Sequence, residues 1–135
     1  MSERTLVLVK PDAVRRGLVG EVLARFERKG LVIVAAEFRS VDGDTADQHY
    51  AEHVAKAWYP PLREFITSAP VLIAVLEGDQ AIEVVRLLVG ATDGRVAAPG
   101  TIRGDFSLSN QQNLVHAADS PESAKREIGL FFPEL

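Results

Sequence analysis

The chain has three histidines, His49, His53 and His116, and no cysteine. A neutral imidazole is a nucleophile with no charge to repel or trap a phosphate. An ordinary histidine pKa of about 6.5 leaves it mostly neutral near pH 7. His116 is the candidate for that chemistry. It ends an apolar run, Asn113-Leu114-Val115-His116, and precedes Asp119 and the helix-opening Ser120-Pro121 by a few residues. His49 and His53 stand four apart, as half of a zinc site on one helix would. No third ligand of the right type lies near them in sequence, so the pair reads as an exposed helix face.

Three cations accompany His116. Lys10 ends the first apolar run, Arg86 falls in the last turn of an expected helix, and Arg103 closes a long loop in Arg103-Gly104-Asp105. Each taken alone has a structural reading. Lys10 is then a solvated strand end, Arg86 complements a helix C-terminus, and Arg103 pairs with Asp105. Together they meet one demand. Phosphoryl transfer asks a protein for positioning and for charge stabilisation around the moving group. Arginine forks match phosphate oxygens and lysine supplies a point charge; Thr92, Tyr50 and Asn113 add further polar contacts. The chain lacks a Gly-x-x-x-x-Gly-Lys-Ser/Thr loop, so a nucleotide would be held by side chains.

These residues must be positioned by elements that the hydrophobic pattern outlines. Thr5–Val9 reads as a strand buried on both faces and ended by Lys10-Pro11-Asp12. Leu18–Lys29 carries a helical stripe closed by Gly30, and Leu31–Phe38 is a second strand. Asp44–His53 reads as a polar helix. Pro60 and Pro61 break the chain before a short helix at Leu62–Ser68. Val71–Leu76 is a third strand, after which Asp79 caps a helix running to Leu88 with Gly90 at its end. Ala91–Asp105 is a long loop of the functional kind. Asn113–His116 is a fourth strand, and Ser120-Pro121-Glu122 opens a last helix that Phe131 and Phe132 close. This order is the split βαβ pattern of an α+β, ferredoxin-like sandwich. It predicts a four-stranded antiparallel sheet with helices packed on one face.

The totals limit the alternatives. At 135 residues, 47% of them hydrophobic and 25% charged, the expectation is a single globular domain over 1–135. A formal net charge of −4, with no basic stripe, makes nucleic acid an unlikely partner. No apolar run approaches the roughly 18 residues of a membrane span. The first residues lack the layout of a signal peptide, so the expectation is a cytoplasmic protein with no membrane partner.

Asn113-Leu114-Val115-His116 with Asp119-Ser120 resembles the N-x-x-H-G-S-D-S signature of nucleoside diphosphate kinases. The likeness extends to Thr5–Asp12, to His49-Tyr50, to Ala98–Phe106 and to Ser120–Phe132, in one register across the chain. The resemblance implies transfer of the γ-phosphate of a nucleoside triphosphate, typically ATP, to a nucleoside diphosphate. It implies a ping-pong mechanism through a phosphohistidine at His116. Lys10, Tyr50, Arg86, Thr92, Arg103 and Asn113 would hold phosphates and sugar, and Trp58 and Leu62 would clamp the base. Glu127 would orient the histidine, with Asp119 in support. Mg²⁺ would bind mainly through the nucleotide phosphates, with Glu52 reaching it through water. A homo-oligomer, hexameric or tetrameric, is also implied.

The chain departs from the pattern in several places. Ala117 and Ala118 replace glycine and serine, Trp58 stands for phenylalanine, and Asn110-Gln111-Gln112 is an unusual polar run. Gly94 falls where the family often has proline, which predicts a looser loop. The two alanines leave open a nucleotide-binding regulatory module of the same fold with reduced catalysis.

Overall fold

The computed structural model describes residues 2–135. Its sheet contains β1 (Ser2–Val9), β2 (Val32–Arg39), β3 (Val71–Asp79) and β4 (Val115–Ala117) in the order β2-β3-β1-β4. All three pairings are antiparallel. The expected ferredoxin-like α+β sandwich is therefore the observed fold class.

Helices cover both faces of the sheet rather than one. The reason lies in β1, where Leu6, Val7, Leu8 and Val9 are all 0% exposed, so neither face of that strand meets water. Val7 and Val9 pack with Val22 and Phe26 of α2 (Val19–Lys29) and with Val85 and Val89 of α5 (Ala81–Val89). Leu6 and Leu8 pack on the other side. There they meet Ala46 of α3 (Gly43–His49), Ile66 of α4 (Tyr59–Ile66) and Phe131 of α7 (Pro121–Phe131). Strand alternation thus divides the core into two layers.

Several element boundaries move. A short helix, α1 (Pro11–Arg15), starts at the proline that ends β1, because proline suits the first helical position. The same chemistry makes Tyr59-Pro60-Pro61 the start of α4 rather than a break. Asp79 stays in β3, and Gln80, at φ 52°, is the residue that turns the chain into α5. The polar helix stops at His49, and Ala51–His53 form a separate 3-10 turn. Ser120 caps α7 as expected, accepting from the Ser123 N–H at 3.1 Å.

The long loop is organised. It contains α6 (Ile102–Phe106), whose cap Thr101 accepts from the Gly104 N–H at 3.0 Å. A Cβ on Gly104 would lie 2.0 Å from the Ala98 carbonyl oxygen, so only glycine fits. Asp105 pairs with Arg25 at 2.8 Å and accepts from the Gly100 N–H, not with Arg103. Gly94 is likewise a close approach: a Cβ there would lie 2.4 Å from Ser107 Cβ. Its N–H donates to Ser109 O, so the position is packed rather than loose.

Candidate active site

A cavity of about 580 Å³ opens where β1, β4, α3, α7 and the long loop meet. Sheet register aims His116 into it. His116 is the cross-strand partner of Leu8 and lies within β4 rather than at the end of a strand. It therefore projects to the side of Leu6 and Leu8, where α3 and α7 pack. Leu114, just before the strand, adopts φ 77° and is fully buried. Asp12 Oδ2 accepts from its N–H at 3.1 Å. A non-glycine residue in the left-handed region costs free energy, and it is held there next to the candidate nucleophile.

Every site residue expected from the sequence lines this cavity: Lys10, Tyr50, Glu52, Trp58, Leu62, Arg86, Thr92, Arg103, Asn113, His116, Asp119 and Glu127. Lys10 Nζ donates to Asn113 Oδ1 at 2.9 Å, and Asn113 Nδ2 donates to the carbonyls of Thr92 and Asn110. Asn113 thus ties the lysine, the loop and the start of β4 together. Arg103 donates to three carbonyls, those of Gly90, Asn113 and Val115. Two of its five N–H groups remain for an anion. Arg86 donates to Ala117 O at 3.3 Å. The unusual Asn110-Gln112 run is a turn wound on Ser109, whose Oγ accepts from the N–H groups of Gln111 and Gln112.

His116 Nε2 lies 2.8 Å from Glu127 Oε1. Burial first, then the charges of Lys10 and Arg103, hold the imidazole down at about 3. It is neutral because its surroundings oppose the imidazolium, and not merely because an ordinary histidine is largely neutral at pH 7. Burial pushes Glu127 up to about 7. Where Glu127 is ionised, neutral His116 donates Nε2–H to its carboxylate and Nδ1 keeps its lone pair. Lys10 is lowered to about 8 and Arg103 to about 10, both chiefly by burial. Asp119 is held low mainly by a hydrogen bond from Ser123.

The sequence reading missed three contributors. His49 is 4% exposed and not on an open helix face; its ring meets that of His116 edge-on at 4.6 Å between centroids. His53 has no part in that contact and lies 5.0 Å from the Trp58 ring. Arg126 reaches from α7 to the carbonyls of Gln48 and His49. Ser123 lines the cavity beside Asp119. Nothing local in the sequence marks His49, because its neighbours come from β4 and α7. Ala118 packs with Ile82 and Ala124 in a small apolar cluster, whereas Ala117 lines the cavity.

The nucleoside diphosphate kinase family profile matches residues 3–135. A nucleoside diphosphate kinase of Nocardioides sp. is 70% identical over 135 residues, covering 100% of both chains. That of Nocardia farcinica is 64% identical, covering 100% of this chain and 98% of its own. Among solved structures, a halophilic nucleoside diphosphate kinase from Halobacterium salinarum in complex with CDP superposes with TM-score 0.95 at 48% identity. The match covers 98% of this chain and 88% of that one.

Proposed function

As this chain belongs to the nucleoside diphosphate kinase family, we propose that its His116 carries the phosphoryl group between nucleotides. The chain is a phosphotransferase, a nucleoside diphosphate kinase; we read residues 1–135 as one domain, which the family match over 3–135 supports. The observation that carries the role of His116 is its Nε2 contact with Glu127 inside a cavity lined by Lys10, Arg86 and Arg103.

In the first half-reaction Nδ1 attacks the terminal phosphorus of a nucleoside triphosphate. An N–P bond forms, the P–O bond to the leaving diphosphate breaks, and the Nε2 proton stays on the ring, facing Glu127. In the second, a terminal oxygen of another nucleoside diphosphate attacks the phosphorus and the N–P bond breaks. One site thus serves donor and acceptor in turn. Lys10, Arg86 and Arg103 face the charge on the transferring group, and Asn113, Tyr50 and Thr92 hold phosphates and sugar. Two apolar groups at the cavity support a base clamp of low selectivity: Trp58, 52% exposed, and the half-buried Leu62.

Mg²⁺ would come with the nucleotide, held mainly by phosphate oxygens, and would spread charge on them. The hard oxygen donors Glu52 and Asp119 line the same cavity, which fits such an ion. A closed homo-oligomer, hexamer or tetramer, is supported by the edge position of β2 and its exposed Val32 and Phe38. Among the described residues no helix is long and apolar enough to cross a membrane. We place the enzyme in the cytoplasm, a reading with which the absence of cysteine is compatible.

The decisive test is labelling with γ-labelled ATP. Wild type should form an acid-labile, base-stable phosphoprotein, and His116→Ala should not. Undiminished labelling in that variant would remove His116 from the role.

A further inference from the structure

His49 carries a contradiction that phosphoryl transfer does not resolve. Its ring is buried, and among the described residues neither Nδ1 nor Nε2 has a hydrogen-bond partner. A neutral imidazole has one N–H and one lone pair, and leaving both unpaired in the interior is costly. Tyr50, His116 and Phe131 pack around the ring.

One ligand atom each from His49, His116 and Glu127 lies within 4.8 Å of the others. We propose that these three side chains form a binding site for a borderline divalent transition metal of the Zn²⁺ class, and that the bound metal silences His116. Two imidazole nitrogens and one carboxylate oxygen are a donor set that suits such an ion. Mg²⁺, which prefers oxygen ligands in octahedral array, fits the same set poorly. Ligands of a tetrahedral zinc site stand roughly 3.3 Å apart at bond lengths of about 2.0 Å. The His116–Glu127 pair, at 2.8 Å, is already inside that spacing. A small shift of the His49 ring would bring in the third ligand, and all three side chains line the cavity. Lys10, Arg86 and Arg103 oppose a further positive charge. Glu127 offsets part of that, and the two imidazole bonds must supply the rest.

The second half of the proposal rests on His116 being the nucleophile. In the free enzyme Nε2 holds the proton and Nδ1 the lone pair. A metal between Nε2 and Glu127 displaces that proton, and the neutral ring takes one up at Nδ1. The number of protons on the ring is unchanged, but Nδ1 now has no lone pair with which to attack phosphorus. Inhibition therefore arises without the metal sitting where the phosphate goes.

The test uses chelator-stripped full-length protein, Zn²⁺ as titrant, and Co²⁺ as an optical probe of coordination. Calorimetry should show one Zn²⁺ per chain, and Co²⁺ should give intense visible bands of a tetrahedral site. Removing even outer-shell partners of metal ligands costs roughly 10- to 100-fold, so His49→Phe should weaken binding by more than about tenfold. Glu127→Gln, which keeps an acceptor oxygen but loses the charge, should also weaken it, and serves if the first variant misfolds. His53→Ala should bind as wild type does. Absence of binding, or binding that survives both variants, overturns the site. Stoichiometric binding with undiminished phosphoprotein formation overturns the silencing. In that event His116→Ala labelling, in Zn²⁺-free buffer that contains Mg²⁺, separates failure of this step from failure of the His116 assignment.

Discussion

Lys10 Nζ donates to Asn113 Oδ1 at 2.9 Å, joining the end of β1 to the residue that leads into β4. The two are 103 positions apart in sequence, and the bond is buried. It places a cation beside the candidate nucleophile before any nucleotide arrives, which is preorganisation in the electrostatic sense.

Lys10 should give the enzyme an alkaline limb. Its pKa is lowered from 10.5 to about 8 by burial and by Arg103, so the free enzyme loses this charge as pH rises through about 8. Bound phosphate favours the charged form and moves the limb of kcat upward. We expect kcat/KM to fall above about pH 8 while kcat falls at higher pH. Lys10→Met should lower activity and abolish the limb. The sign for stability is opposite. The native state binds fewer protons than the unfolded one between about 8 and 10.5, so stability should rise across that window. A flat kcat/KM profile from pH 7 to 10 would count against the assignment.

Asn113→Ala should destabilise the fold as well as slow the reaction. The side chain is 2% exposed and makes three hydrogen bonds, to Lys10, Thr92 O and Asn110 O. Its loss leaves buried polar groups unpaired, for about 1–3 kcal/mol. Urea unfolding measures this directly. A variant within experimental error of wild type would mean that these bonds are replaced by water at no cost.

Much of this arrangement is legible in the sequence, where chemistry and local geometry coincide. Thr5–Val9 is apolar at every position except Thr5, and that marks a strand covered on both sides. Ser120-Pro121 marks a helix start because capping and proline act within a few residues. His49 is misread because four-residue spacing means a shared face only on an unbroken helix. Here Tyr50, at φ −102° and ψ 33°, ends α3 before His53. Its burial depends on His116 and Phe131, which no local pattern couples to it. The backbone role of Arg103 is hidden for the same reason, since two of its three carbonyl partners lie in the segment leading into and through β4.

Gly104→Ala tests the loop. The added methyl would meet the Ala98 carbonyl oxygen at 2.0 Å and Thr101 Oγ1 at 2.7 Å. The first is backbone and cannot rotate away, so the cap of α6 must open and Arg103 must shift with it. We expect a loss of about 2 kcal/mol or more, with KM raised more than kcat is lowered. Wild-type KM together with wild-type stability would show that the loop yields without moving Arg103.

Glu127 should act on the rate through His116, not through nucleotide affinity. The carboxylate accepts from Nε2–H, and this keeps the lone pair on Nδ1. It also stabilises positive charge that grows on the ring as the N–P bond forms. A hydrogen bond to a charged group is worth about 1.5–3 kcal/mol, which corresponds to roughly 10- to 150-fold in rate. Glu127→Leu should therefore lower kcat by about that factor with KM little changed, because the side chain is 3% exposed and acts through its contact with the ring. Glu127→Gln still offers an oxygen to Nε2–H and should lose less. Rapid-quench measurement of phosphoprotein formation isolates the step. If Glu127→Leu forms phosphohistidine at the wild-type rate, the 2.8 Å contact is structural and the tautomer is set by something other than this carboxylate.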